Sequence, residues 1–490
     1  MNSSEPHHTF KSSNTSRAKS TRRWRAIHKW SGIAIALFML SFVVSGLLLN
    51  HRDLILDQEI SRRYLPSRYE FRNWNGGLMR GTLRHDSATL IYGVNGVWQY
   101  DPVTGITLDF NRGLPSGADR RNIRGMVRTA RGTLIAATPF GLHAHRNGRW
   151  HPVSIPLTEG EKISDITLSG DTLVAVGRSR IYTATLPSLR FTPVTLPTSP
   201  DMDGRTTLFR TVWHLHSGEL FGLPGRLAVD AVALLFLFLT VTGIAIWVLK
   251  SRGHHPRRVR WNMLWHNRVG RWTVVLTALV VLTGWCLRPP VMVPLALTRV
   301  APLPGTTMSS SNPWHDRIRA LRHDPAAGDW LLSTSEGFFT MKSLGDTPRK
   351  ITQAPPVSVM GINVMERDSA GHWLCGSFSG MYRWDRTSGH VTDWFTGEKA
   401  DLKPGPPFGR RAVSGYSSHM PGGDVVAEYY DGANLAQPDE LRQLPMSLWA
   451  VALEMHSGRI FIGDIATYVF IFLTGLAIML CIYAGYRLRH

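Results

Sequence analysis

Four histidines recur in register along this 490-residue chain, and imidazoles so placed point to metal ligation. His28, Gly32, Ser45 and Gly46 reappear as His266, Gly270, Thr283 and Gly284, and His216-Ser217-Gly218 reappears as His456-Ser457-Gly458, at offsets of 238 and 240 residues. The pattern reads as an internal duplication. A membrane-embedded b-type haem needs one histidine above and one below a macrocycle held between helices. Two equivalent sets therefore predict two metal or haem sites. His28 to Gly46 and His266 to Gly284 each span 18 residues, five turns of about 3.6 residues. Each histidine thus shares a helix face with a Ser/Thr-Gly pair, and Gly32 and Gly270 lie close to that face. These four glycines are candidate cofactor seats, since a bulky ring needs small neighbours. A single interfacial histidine, or a single glycine notch in a membrane helix, has a simpler explanation in packing; the repetition is what favours ligation.

The elements that must position these residues are apolar. Stretches near 31–49, 227–249, 272–287 and 460–486 approach the roughly 20 residues a helix needs to cross a hydrocarbon core, and the third has the option of continuing into Pro-rich 289–298. The expected fold is a membrane α-helical bundle of four spans carrying a β-rich, propeller-like periplasmic ectodomain. Its segments are a basic tail at 1–27, spans at 28–50, 227–249, 272–298 and 456–490, a basic loop at 250–271, and β-rich regions at 51–226 and 299–455. Most of the formal +20 sits on the tail, the loop and the last residues, which the positive-inside rule assigns to the cytoplasm. The charge is then topological and gives no support to nucleic-acid binding. The first apolar run lacks a small-residue cleavage site and reads as an uncleaved anchor. The three cysteines leave no pair within either excursion, so no disulfide framework is expected. Residues 1–20 read as a disordered polar tail, and 289–304 and 403–407 as Pro-rich linkers.

Outside the membrane a phrase recurs: apolar strand, turn, Gly, aromatic strand. It occurs at Thr89–Trp98, Thr133–Leu142, Trp330–Phe339 and Trp373–Asp385, with a degenerate copy at Thr172–Tyr182. Repeat spacings in the forties match a four-stranded propeller blade of about 40–50 residues. Neither excursion alone supplies enough units, so a joint propeller is expected, with two ordinary antiparallel lobes as the alternative.

Topology pairs His28 with His266 on the cytoplasmic side and His216 with His456 on the outer side. His51 and His214 rank second as outer ligands. Arg52 and Arg288 could pair with haem propionates, and Asp230 or Asp464 could orient a ligand histidine or move protons; interfacial snorkelling explains these charges equally well.

The phrases Ile27-His28-Lys29-Trp30-Ser31-Gly32, Leu215-His216-Ser217-Gly218 through Gly222 with Val241-Thr242-Gly243-Ile244, and Met455-His456-Ser457-Gly458-Arg459 resemble the PepSY-associated transmembrane helix family. The resemblance covers the four spans and their flanks. It implies a four-helix core in the bacterial inner membrane, b-type haem on membrane histidines, and electron delivery to a periplasmic ferric chelate such as a siderophore. The chain departs from the family outside the membrane, where propeller-like phrases stand in place of a PepSY module. No cytoplasmic segment has room for a nucleotide- or flavin-binding domain, so a quinol or a separate flavoprotein is the expected electron donor, with the basic loop available for an acidic partner or anionic lipid. No Ser-His-Asp, Cys-His or paired-carboxylate arrangement stands out, as befits pure electron transfer. The alternatives are a non-catalytic sensor or assembly protein, whose ectodomain binds a ligand or partner, and a metal or siderophore transporter, which four spans with few internal charges serve poorly.

Overall fold

The computed structural model describes residues 10–101, 103–253, 255–358, 360–403, 409–420 and 422–488. They fall into two compact units, one from 10–55, 204–309 and 449–488, the other from 56–203 and 310–448.

The first unit is helical. Its elements are α1 (Phe10–Asn50), α2 (Leu208–Ser217), α3 (Gly222–Ser251), α4 (Pro256–Cys286), α5 (Met292–Leu297), α6 (Leu448–His456) and α7 (Asp464–Arg487). Among these, α1, α3, α4 and α7 are long and apolar enough to cross a membrane. α1 packs against α3 and α7, and α4 against the same two. Ile35, Met39 and Ile478 form the buried seam with Phe236 and Val281 beside them, while Leu37, Leu234, Val275 and Leu473 face outward. Exposed leucines on a buried-length helix are what a lipid solvent selects. The chain is a multi-pass membrane protein.

Several expected boundaries move. Residues 10–20 are helical, because α1 starts at Phe10 and runs of Lys, Arg and Ser without Gly or Pro do not stop a helix. The basic loop is largely the first turns of α4, which opens with Pro256, a residue suited to the first helical position. The third span ends at Cys286, before Pro289 and Pro290, and α5 follows as a separate piece. Residues 204–226 and 299–309 fold with the helices and not with the β-rich unit. All of 403–407 except Lys403 lies outside the described residues.

The second unit holds five four-stranded antiparallel sheets, at 81–109, 125–153, 163–194, 318–350 and 362–393. Each of the five repeated phrases forms the central hairpin of one sheet. The glycine opening the aromatic strand is needed for its backbone: Gly96 and Gly337 have φ of 111° and 108°, a region that penalises any Cβ. Apart from a minor pairing of Glu59–Ile60 with Met446–Ser447, the described residues of this unit add a sixth sheet to the series, of two strands, Val413–Met420 and Gly423–Glu428, which carries no such phrase. The first strands of the sheets neighbour one another in sequence order, and Val413–Met420 packs against both Ile362–Arg367 and Gly81–His85. There Thr82 Oγ1 meets Ser417 Oγ at 2.7 Å. Both excursions thus build one unit; fully buried Trp314 ties them, its indole N–H donating to the Pro197 carbonyl at 2.8 Å.

A buried ionic network joins the fourth and fifth sheets. Arg386 donates to Asp329 at 2.8 and 2.9 Å and also to Asp324, and Trp373 Nε1 donates to Asp324 at 3.0 Å. Burial alone would raise both carboxyls, but these donors, with the Thr340 hydroxyl at Asp329, outweigh it and hold both below the ordinary 3.8. A carboxyl depressed in the folded state stabilises above its ordinary value and loses that contribution as pH falls through the folded one. Arg386→Leu leaves both charges buried without a cation, a change worth about 3–5 kcal/mol. The variant is expected to unfold at lower urea at pH 7, and its acid unfolding to begin at higher pH. Tryptophan fluorescence in detergent reads both, and a loss below about 1 kcal/mol would rule out a stabilising role for the network.

Candidate metal centres

The His-Ser-Gly motifs are helix ends. Gly218 and Gly458 take positive φ of 78° and 75°, and their N–H groups return to Leu215 and Met455, which closes α2 and α6 with a left-handed residue. Ser217 and Ser457 hydroxyls donate to His214 and Glu454 carbonyls. His216 and His456 therefore sit in the last turn of short helices separate from the spans that follow.

The four histidines meet in two pairs. The rings of His28 and His266 have centroids 6.0 Å apart, and those of His216 and His456 5.9 Å apart. An imidazole nitrogen lies about 2.0 Å from a metal it binds, so two rings on opposite sides of one ion have centres roughly 6 Å apart. In every ring Nδ1 is engaged by a helix of the bundle. His28 Nδ1 bonds the Cys481 carbonyl at 2.9 Å, His216 Nδ1 the Val280 carbonyl at 3.0 Å and Thr283 Oγ1 at 3.2 Å, and His456 Nδ1 the Phe42 carbonyl at 2.9 Å and Ser45 Oγ at 3.2 Å. His266 Nδ1 meets Thr242 Oγ1 at 3.0 Å, and the Leu239 backbone stands beside the same ring. This is the outer-sphere arrangement that fixes a ligand tautomer and leaves Nε2 for the metal.

Glycines make these seats. A Cβ at Gly46 would stand 3.1 Å from His456 Cε1, at Gly284 2.7 Å from His216 Cε1, at Gly243 3.5 Å from His266 Cε1 and at Gly485 3.0 Å from His28 Cε1. Gly46 and Gly284 accordingly serve histidines of other helices, at the far end of the span from His28 and His266. Gly32 faces Cys481 Sγ, 3.5 Å from its added Cβ, and Gly270 lies in α4 one turn beyond His266. Gly243 and Gly485 are seats that the 238-residue register does not reveal. Each span carries a small-residue-Gly dipeptide at its seat, namely Ser45-Gly46, Thr242-Gly243, Thr283-Gly284 and Ala484-Gly485, but Ser31-Gly32 and Thr474-Gly475 have the same wording and seat no histidine, so the dipeptide narrows the choice without making it.

The secondary candidates are engaged otherwise. His51 Nε2 bonds Asp230 at 2.8 Å, and Asn50 donates to the same carboxylate at 3.0 Å, so Asp230 orients His51 and neither ligand pair. His214 is buried with its ring 5.6 Å from Trp213. Arg52 lies over the Trp449 indole at 4.2 Å, and the Asp464 side chain lies outside the described residues. Arg288 stands close enough to the outer pair for its charge to act on both rings. Burial, then Arg459, lowers Arg288 to about 10, against the pull of Glu454. Burial first, with Arg288 adding and the Val280 bond opposing, takes His216 down to about 4; burial, His216 and Arg288 take His456 to about 3. Both rings are neutral near pH 7, the form in which histidine binds metals.

Residues 7–250 and again 182–488 match the PepSY-associated TM region. The chain belongs to the PepSY-associated transmembrane family. No curated protein matches it. Among solved structures, this family member is similar to the extracellular domains of two hybrid two-component systems from B. thetaiotaomicron. They are 13% and 10% identical, with a TM-score of 0.33 each, over 74% and 73% of this chain and 39% of each of theirs. It is also similar to the computationally designed Ika8 protein, at 7% identity and a TM-score of 0.32, over 74% of this chain and 97% of that one. The chain thus spans about two fifths of the two-component domains.

Proposed function

We propose that this family member is a haem-b transmembrane reductase that carries electrons outward to a periplasmic ferric chelate of the siderophore class and releases Fe(II). One observation carries the reading: the two imidazole pairs are set at opposite ends of the same helices. His28 belongs to one pair and Gly46, 18 residues further along α1, seats a member of the other; His266 and Gly284 repeat this on α4. Eighteen helical residues rise about 27 Å, close to the hydrocarbon thickness of about 30 Å. The donor sets suit b-type haem: two imidazoles per site, each with Nδ1 tied and a glycine admitting the ring.

A haem bound at each pair supplies a one-electron relay. The chain's part is to hold the four imidazoles oriented, and to set Arg288 beside the outer pair, where a propionate would meet a cation. One electron per Fe(III) weakens a hard-oxygen chelate, and no nucleophile or general base is required. The basic ends of α1, α4 and α7 favour a cytoplasmic location for the His28–His266 end, since Arg487 lies over Trp24 at 5.9 Å and basic residues stay inside. On this reading the termini are cytoplasmic and the membrane is a bacterial inner membrane. The donor is a quinol or a separate flavoprotein. We further infer that the six sheets close into one propeller and that the helical halves descend from a duplication; the contacts of Val413–Met420 with two sheets, and the matching His-Ser-Gly ends, support these readings.

The test is an absorption spectrum of detergent-purified protein from haem-replete cells, oxidised and then dithionite-reduced. About two b-type haems per chain are expected. A colourless, folded protein would overturn the proposal and favour a sensor or assembly role.

A further inference from the structure

The four histidine seats share one plan and differ at one position. In each, a helix offers a backbone carbonyl, then three residues on a small side chain, then glycine: Phe42, Ser45, Gly46 for His456; Leu239, Thr242, Gly243 for His266; Val280, Thr283, Gly284 for His216; and Cys481, Ala484, Gly485 for His28. In the first three the small residue carries a hydroxyl. That hydroxyl donates to its own helix, from Ser45 to the Ser41 carbonyl at 2.6 Å, Thr242 to Phe238 at 2.7 Å and Thr283 to Leu279 at 2.8 Å. Its lone pairs are therefore what face the imidazole, and the histidine Nδ1–H is the donor. At the fourth seat fully buried Ala484 has no hydroxyl. His28 keeps the Cys481 carbonyl at 2.9 Å and, at 3.5 Å, the Cys481 thiol sulfur, a weak acceptor.

We propose that residue 484 sets the reduction potential of the His28–His266 centre, with Ala484 holding it higher than a hydroxyl-bearing residue would. The proposal rests on the haem reading above. An acceptor on Nδ1–H makes an imidazole a more basic ligand, and a more basic ligand favours the oxidised metal. Removing one acceptor from one of two ligands weakens that preference at this centre alone. Ala484 is thus a positioning residue that acts through His28.

The experiment is a spectroelectrochemical titration of the purified full-length protein in detergent, following the reduced haem absorption in the parent, Ala484→Ser and Thr242→Ala. His456→Ala, which retains only the His28–His266 centre, assigns the transitions. Ala484→Ser is expected to lower the midpoint of that centre by about a tenfold change in its oxidised-to-reduced ratio, 59 mV for one electron. Thr242→Ala, which strips the hydroxyl from the other ligand of the same centre, is expected to raise it. The second transition stays in place in both. Thr242→Ala removes atoms and keeps the test decisive if serine at 484 impairs folding. Unmoved midpoints in haem-replete variants, or shifts in the other transition, would overturn the proposal. A parent without two titrating centres would instead overturn the functional reading, and this inference with it.

Discussion

His456→Ala is expected to purify with one b-type haem per chain where the parent holds two, and His28→Ala to do the same at the other centre. His456 supplies one half of a donor pair whose rings lie 5.9 Å apart, and its Nδ1 is tied to Phe42 and Ser45 on α1. Alanine leaves His216 without the imidazole that stands opposite it. Losing an outer-sphere partner costs roughly 10–100-fold in metal affinity, and losing the ligand itself costs more, so haem at this end should not survive purification. The His28–His266 centre lies 18 residues away along α1 and shares no contact with the deleted ring. Haem quantified against protein, with the reduced spectrum, distinguishes halving from general loss. Chelate reduction in membranes should fall to background in both variants, since either gap breaks the relay. Two haems in both variants would mean that other side chains are the ligands.

The second large effect is steric. A Cβ at Gly284 would stand 2.7 Å from His216 Cε1, 3.3 Å from Nδ1 and 3.3 Å from Nε2. Even alanine must push the imidazole away from the Val280 carbonyl and Thr283, and leucine cannot share the seat. Gly284→Leu is expected to abolish haem at the outer centre, and Gly284→Ala to weaken it by roughly 10–100-fold, as for a lost orienting partner. Gly46→Ala, with its Cβ 3.1 Å from His456 Cε1, should be milder, because a few tenths of an ångström relieve it. Haem retention during dilution gives the ranking Gly284→Leu, then Gly284→Ala, then Gly46→Ala, with the β-rich unit's circular dichroism unchanged. Parental retention in Gly284→Leu would mean His216 does not sit in this seat when a ligand is bound.

Much of this site is legible in the sequence because helical periodicity and repetition are local signals. The register of His28 with His266 and of His216 with His456 names the four rings, and hydropathy with charge puts the first two at one end and the last two at the other. The five phrases become the five central hairpins, since two short strands and the turn between them are encoded within a dozen residues, with a glycine at φ above 100° in three of them, Gly96, Gly337 and Gly380. The sixth sheet is not legible in this way. Its hairpin, Val413–Met420 with Gly423–Glu428, is bulged at two places and closes through Gly422 and Gly423, so it lacks the repeated wording.

By itself, then, the sequence determined which residues could be ligands, that four helices are apolar enough to span a membrane, and that the excursions are β-rich. Each follows from side-chain chemistry and a period of two or 3.6 residues. Only the tertiary structure decided which helix seats which ring. Eighteen residues put His28 and Gly46 on one face, but a shared face does not name the neighbour across it, and the two serve opposite ends of the bundle. The same limit hid Gly243, Gly485 and the Cys481–Ala484 departure, because a seat is made by contact between residues as far apart as 453 positions, and periodicity carries no information on that scale.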